Sequence, residues 1–197
     1  MRRAREDFLT LLCAQQKVNT KRHPNFLRME LTQKIVTLDS PLQAISLRFR
    51  GDLSKVNYIE AYNKLGQEMT RQGVSYEKSS YFCVYPSDPS VYAGTSTDPT
   101  AECLVDVCIT LPEGAPMVAQ GEFGITHIAS GTYLVMTMVG PYSQMVEAYS
   151  QMYGKLLPEA YKTYQPDPLR PMMERYANDP EQVSANELIT EFWHAIK

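Results

Sequence analysis

Two stretches of the chain, YFCVYPSDP at 81–89 and MMERYANDP at 172–180, follow one plan: an apolar strand, a tyrosine, then a polar turn ending in Asp-Pro. An internal repeat constrains architecture more than other sequence signals, because repeated units bury their apolar faces against one another. Aligning Tyr85 with Tyr176 sets Cys83 against Glu174. At that position the second copy has a carboxylate and the first an uncharged thiol. One asymmetric acid inside a duplicated fold points to a ligand site between the halves.

The surrounding sequence extends the repeat. In the first half, 33–38 and 43–51 read as strands, the second alternating Ile45, Leu47 and Phe49 with Ser46, Arg48 and Arg50. Val56, Ile59, Tyr62 and Met69 then recur at helical spacing over 54–72, with Ser54 placed to cap and Gly73 to stop the helix. Strands at 81–85 and 103–111 follow, separated by a polar loop. The second half gives strands at 124–130 and 132–140, and Gly140 matches Gly51. Its helix is capped by Ser143 and carries Met145, Val146, Tyr149, Met152, Tyr153 and Leu156. Strands at 172–176 and 188–196 complete it. The expected fold is α+β: two βαββ units, about 32–114 and 121–197, related by pseudo-two-fold symmetry, with antiparallel sheets, helices packed on them and a central ligand cleft.

Residues 1–31 form a basic arm ahead of this domain (32–197). Its first 28 residues hold seven basic side chains against two acidic, whereas the remainder holds 12 basic against 20 acidic. An acidic body is a poor nucleic-acid binder, because phosphate contacts need Lys or Arg. Phe8, Leu11, Leu12 and Gln15 share one helical face in the arm, which is too short to be a DNA-binding domain. No apolar run approaches the ~20 residues of a membrane span, and no secretion signal is read, so a cytoplasmic protein away from the membrane is expected. Four cysteines in neither a paired nor a CxxC pattern fit reduced thiols. His23, His127 and His194 lack partners at metal-ligand spacing, and no nucleotide loop or hydrolase motif occurs, so neither metal nor cofactor is expected.

Glu174 is the leading candidate. In a strand, Met172, Glu174 and Tyr176 share one side and Met173 and Arg175 the other. Either the first side lines a cleft, or Glu174 faces solvent and pairs with Arg175 or a neighbouring strand. An inward carboxylate is costly and awaits a cation, a hydrogen-bond donor or a ligand. The chain has 13 tyrosines against one tryptophan and six phenylalanines. Tyr81, Tyr85, Tyr133, Tyr176 and Trp193 fall on strands expected near Glu174, where aromatic faces can stack planar ligands and attract cations. Asp106 and Glu191, equivalent in the two halves, read as solvent-side or strand-edge acids.

The run 171–197 resembles the ending of the GyrI-like small-molecule-binding domain, the effector-binding module of AraC-type and MerR-type regulators. The matching elements are Glu174-x-Tyr176, Asn178-Asp179-Pro180 and Thr190-Glu191, with Gly140-Pro141-Tyr142 before the second helix and Gly51 in the first half. The resemblance covers about 32–197 and implies a duplicated βαββ fold whose aromatic cleft takes amphipathic, often cationic molecules. By position Glu174 is then the central acid, with Tyr176 and Trp193 matching cleft positions more loosely. The chain departs from the pattern at His194-Ala195, where an apolar-Pro pair is usual. The implied roles are sensing, sequestration or transcription regulation, alone or with a DNA-binding regulator. Some members of the family are described as hydrolases of reactive electrophiles and others as gyrase modulators. In a hydrolase, Glu174 is the acid or base.

Overall fold

The computed structural model describes residues 31–87, 89–92 and 96–197, and the arm helix and Cys13 lie outside them. Eight strands are formed: β1 (Thr32–Leu38), β2 (Leu42–Arg50), β3 (Tyr81–Tyr85), β4 (Leu104–Thr110), β5 (Phe123–Ile128), β6 (Gly131–Val139), β7 (Met172–Tyr176) and β8 (Ile189–Ile196). They make one antiparallel sheet in the order β1-β6-β8-β7-β3-β4-β2-β5. The plural sheets expected from sequence are thus a single one, because β3 and β7 pair directly and join the two sets of strands.

The sheet is curled. β1 and β2 lie six strand positions apart but are joined by Asp39, Ser40 and Pro41 alone. Four Cα steps reach at most ~14 Å, whereas six strand spacings in a flat sheet need ~28 Å. The link from β5 to β6, through Ala129 and Ser130, imposes the same closure from the other edge. The inner face of the curl holds Ala44, Phe82, Cys108, Ile128, Tyr133, Val135, Met173 and Trp193 as one packed cluster. Arg170 fastens the closure. It donates to the carbonyls of Ser130 (3.1 Å), Thr132 (3.3 Å) and Ile196 (2.7 Å), pairs with Asp167, and lies 4.8 Å over the Tyr133 ring. Gly131 is obligatory there: its φ is +121°, and a Cβ would strike the guanidinium.

Helices cover the outer face. α1 (Tyr58–Arg71) buries Ala61, Leu65 and Met69, one stripe at i, i+4, i+8, against β2 and β4. Asn57, rather than Ser54, caps it by accepting from Glu60 N at 3.2 Å, because Leu53–Lys55 form a separate 3-10 turn capped by Asp52. Gly73, at φ +74°, ends the helix as expected. A short α2 (Pro89–Tyr92) occupies what reads as loop in the sequence.

On the other half a 3-10 turn (Tyr142–Gln144) precedes α3 (Met145–Gln151), and Ser143 makes no capping bond. A π-helical segment (Met152–Leu156) then leads into α4 (Leu157–Ala160). Pro158 has no N–H to give the Gly154 carbonyl, and the widened turn sits just before it. Ala148, Tyr149, Met152 and Leu157 pack on Leu134, Met136, Met138 and Phe192.

Asp106 and Glu191 are not solvent-side acids: both are buried on the inner face. Arg48 grips Asp106 through two bonds of 2.6 Å. Glu191 receives Lys34 (2.8 Å), Arg175 (3.0 Å) and the Trp193 indole N–H (3.1 Å). Burial is possible because each charge is answered on the spot.

Candidate functional site

β3 and β7 run side by side at the middle of the sheet, with Tyr81 opposite Tyr176, Cys83 opposite Glu174 and Tyr85 opposite Met172. Strand alternation turns all six toward the outer face, over which α1 packs on the β3 side and α3 on the β7 side. Glu174 is buried between them, 1% exposed. Of the two orientations open in the sequence, the inward one holds, and Arg175 turns to the other face to meet Glu191.

Three phenol hydroxyls donate to the Glu174 carboxylate. Tyr85 and Tyr176 both reach Oε2 at 2.8 Å, and Tyr149 of α3 reaches Oε1. On the β3 side, the Tyr62 hydroxyl of α1 meets Cys83 Sγ at 3.4 Å. Each helix thus presents a tyrosine to the central residue of the adjoining strand. Burial pushes the Glu174 carboxyl above its ordinary range, opposed by the three hydroxyls, which favour the charged form. Burial, reinforced by the Glu174 charge, pushes the Cys83 thiol well up, which favours its protonated form.

An aromatic shell surrounds this centre. Tyr62 meets Tyr81 and Tyr176 edge-on at 5.4 and 6.1 Å, and Tyr142 meets Tyr176 at 5.7 Å. Tyr149 stacks on Tyr153 at 6.1 Å and abuts Phe192 at 5.1 Å. Tyr92 of α2 supports Tyr85 edge-on at 5.9 Å and donates to the Leu104 carbonyl. The rings pack as an aromatic layer around the carboxylate, and aromatic faces favour cations.

Four of the six residues singled out in the sequence, Glu174, Tyr176, Tyr81 and Tyr85, therefore come together. Tyr133 and Trp193 do not. Both stand on the inner face, where Trp193 contacts Tyr133 and Phe82 at 5.4 and 5.9 Å. The reason is register: Trp193 pairs with Met173, one residue out of phase with Glu174. Sequence reasoning missed Tyr149, Tyr62, Tyr142 and Tyr153 as candidate site residues and read the helical ones only as marks of helical spacing. Their signal is the i, i+4 spacing of Tyr149 and Tyr153 and the matching position of Tyr62 in the first half.

Glu174 stands apart in another respect. The buried acids among the described residues are Glu68, Asp106, Glu174 and Glu191. Arg71 pairs with Glu68, Arg48 with Asp106, and Lys34 and Arg175 with Glu191. Only Glu174 lacks a basic partner. Its shell lowers the cost of ionisation without neutralising the charge.

The family model described as GyrI-like small molecule binding domain matches residues 33–197. Among solved structures, the C-terminal domain of EcmrR superposes with a TM-score of 0.61 at 18% identity, over 87% of this chain and 99% of that one. The EcmrR chain in a cryo-EM complex with DNA gives 0.60 at 18% identity; 98% of this chain is covered, spanning 66% of that one. The structure of SAV2435 bound to tetraphenylphosphonium gives 0.50 at 13% identity, over 87% of this chain and 94% of that one. At these identities the likeness is one of fold. No curated protein matches the chain in sequence. Among the described residues no helix is long and apolar enough to cross a membrane.

Proposed function

The chain belongs to the GyrI-like small-molecule-binding domain family, and we propose that it binds amphipathic organic cations in the tyrosine cleft, Glu174 answering their charge. The observation that carries this reading is the buried carboxylate held by three hydroxyls and by no base, in a molecule where every other buried acid described has one. A lipophilic cation entering between α1 and α3 replaces an unanswered charge with a paired one, at low dielectric and against rings that bury its apolar surface. Tetraphenylphosphonium, the ligand in the SAV2435 structure, is a suitable probe. Calorimetric titration of wild type and Glu174→Gln tests the reading; equal affinities would sink it.

The cleft is proposed to lie between two copies of one βαββ unit, 32–114 and 121–197. The strand order supports this: exchanging β1–β4 with β5–β8 returns the same order reversed, with the Cys83–Glu174 pair at its centre. The biological role we infer is sensing or sequestration in the cytoplasm, serving transcription regulation with a DNA-binding partner, with action on gyrase as the alternative. The likeness to a regulator's domain supports the first, and residues 1–31 are the candidate connection.

A hydrolytic role is the second reading, favoured by the raised pKa of Glu174 beside hydroxyls that can orient water. Product formation on an electrophilic substrate, lost in Glu174→Gln, separates it from binding alone.

A further inference from the structure

Among the described residues, two buried side-chain polar atoms have no hydrogen-bond partner, Thr190 Oγ1 and His194 Nε2. Both belong to β8, and both side chains are more than nine-tenths buried. Phe192, midway between them, is the residue paired with Glu174, while Thr190 pairs with Tyr176. Alternation turns Thr190, Phe192 and His194 to the same outer face as Glu174. The orphan atoms therefore flank the carboxylate's row, each two residues, about 7 Å, from Phe192.

A buried polar atom left unpaired is costly enough to call for an explanation. His194 packs edge-on against Tyr153 at 5.8 Å, Tyr153 stacks on Tyr149, and Tyr149 donates to Glu174. Tyr153 is thus the partition between the imidazole and the carboxylate, and it rides on the π-helical segment. Such turns are rare and associate with functional sites. A shift of this segment would join the His194 position to the space around Glu174.

We propose that His194 and Thr190 form polar subsites of the Glu174 cleft, selecting lipophilic cations that also carry a hydroxyl or amide on their apolar frame. The inference rests on the cation-binding reading above. The cation centre sits at Glu174, the apolar frame lies on the tyrosines and Phe192, and the polar substituent reaches one of the orphan atoms. The imidazole, neutral in this apolar setting, offers one N–H and one lone pair, and the threonine hydroxyl both donates and accepts.

The test compares tetraphenylphosphonium with (4-hydroxyphenyl)triphenylphosphonium, which differs by one hydroxyl. Wild type is expected to bind the phenol about tenfold more tightly, the return for pairing a buried orphan group. That preference shrinks toward parity in His194→Phe or Thr190→Val, and His194→Gln, which keeps a polar group, retains part of it. Unliganded melting curves establish that each variant folds, and either of the first two carries the test if the other fails. No preference in wild type, or a preference that survives both substitutions, overturns the proposal. So does a crystal structure of the phenol complex in which ordered waters satisfy both atoms and the phenol points elsewhere. If neither cation binds wild type, or Glu174→Gln leaves both affinities unchanged, the cation-binding reading falls and takes this one with it.

Discussion

Cys83 faces Glu174 directly across the β3–β7 pair, so the neutral thiol of one strand adjoins the carboxylate of the other at the centre of the sheet. Tyr62 holds the first and Tyr149 the second. A carboxylate in both places would set two unanswered charges side by side, which neither could sustain. Cys83→Glu should therefore lower stability by about 3 kcal/mol or more at pH 7, with the loss reduced at acid pH, where one carboxyl is protonated. Urea unfolding at several pH values checks both the size and the sign.

Glu174→Gln should do the reverse. The charged form is disfavoured by burial, so removing it is expected to raise the unliganded melting temperature at pH 8 by about 2–4 °C, while affinity for tetraphenylphosphonium falls at least about tenfold. Gain of stability with loss of binding marks a group kept for a ligand. Loss of both in calorimetry would mark it as a structural one.

The direction of the Glu174 shift fixes a pH dependence. Its folded pKa is raised above the ordinary value of 4.5, so the folded state holds the proton longer than the unfolded chain. Stability from this group is complete below the unfolded value and declines as pH rises through the folded one. Cation binding runs the other way, since it needs the carboxylate. Affinity should climb as pH rises toward the folded pKa and level off beyond it, with the slope absent in Glu174→Gln. Titrations in two buffers of different ionisation enthalpy should show proton release on binding within that window.

Tyr149→Phe removes the donor to Oε1, and Tyr85→Phe one of the two donors to Oε2. Both variants should raise the carboxyl pKa further, Tyr149→Phe more, because Oε2 keeps Tyr176 when Tyr85 is lost. The pH profile of cation binding moves to higher pH by the same amount, and carboxyl infrared bands report it independently.

What was legible in the sequence follows from local physics. Period-2 alternation located the strands, and the aligned Tyr85 and Tyr176 placed Cys83 and Glu174 at equivalent positions, which the sheet then sets opposite each other. The misplaced residues depended on pairing. Nothing local to Trp193 says that Met173, and not Glu174, will be its cross-strand partner, and a one-residue difference in register changes faces. Asp106 and Glu191 read as solvent-side because their partners, Arg48, Lys34 and Arg175, come from other strands. The helical tyrosines read only as marks of helical spacing, because an amphipathic stripe looks alike whether it meets another apolar surface or a buried carboxylate. The curl of the sheet was visible only as two very short links, Asp39–Pro41 and Ala129–Ser130, whose significance appears once the strand order is known.

That curl yields a prediction of its own. Arg170 ties three carbonyls from two parts of the chain, and Gly131 leaves room for it. Gly131→Ala puts a side chain at positive φ and into the guanidinium, so it should cost about 3 kcal/mol or more. Arg170→Ala should cost a comparable amount by leaving those carbonyls unpaired. The double variant should lose less than the sum, because the methyl no longer has a guanidinium to displace. Additive losses in a denaturant double-mutant cycle would show that the two residues act apart.

The last expectation concerns His194 in the unliganded protein. Burial pushes its pKa from 6.5 down to about 4, so the unfolded chain takes up a proton that the folded one refuses. Stability from this source is complete above 6.5 and is lost as pH falls toward 4, to the extent of about 3 kcal/mol. His194→Phe removes both this linkage and the unpaired Nε2. The variant should therefore melt higher than wild type at pH 7, and its advantage should widen steadily from pH 6.5 to pH 4. Glu174 varies stability in the opposite direction, losing it as pH rises above 4.5, and its contribution is common to both proteins, so the difference curve between wild type and His194→Phe isolates the imidazole. A flat difference across that interval would mean that the imidazole already finds a partner or solvent in the folded state.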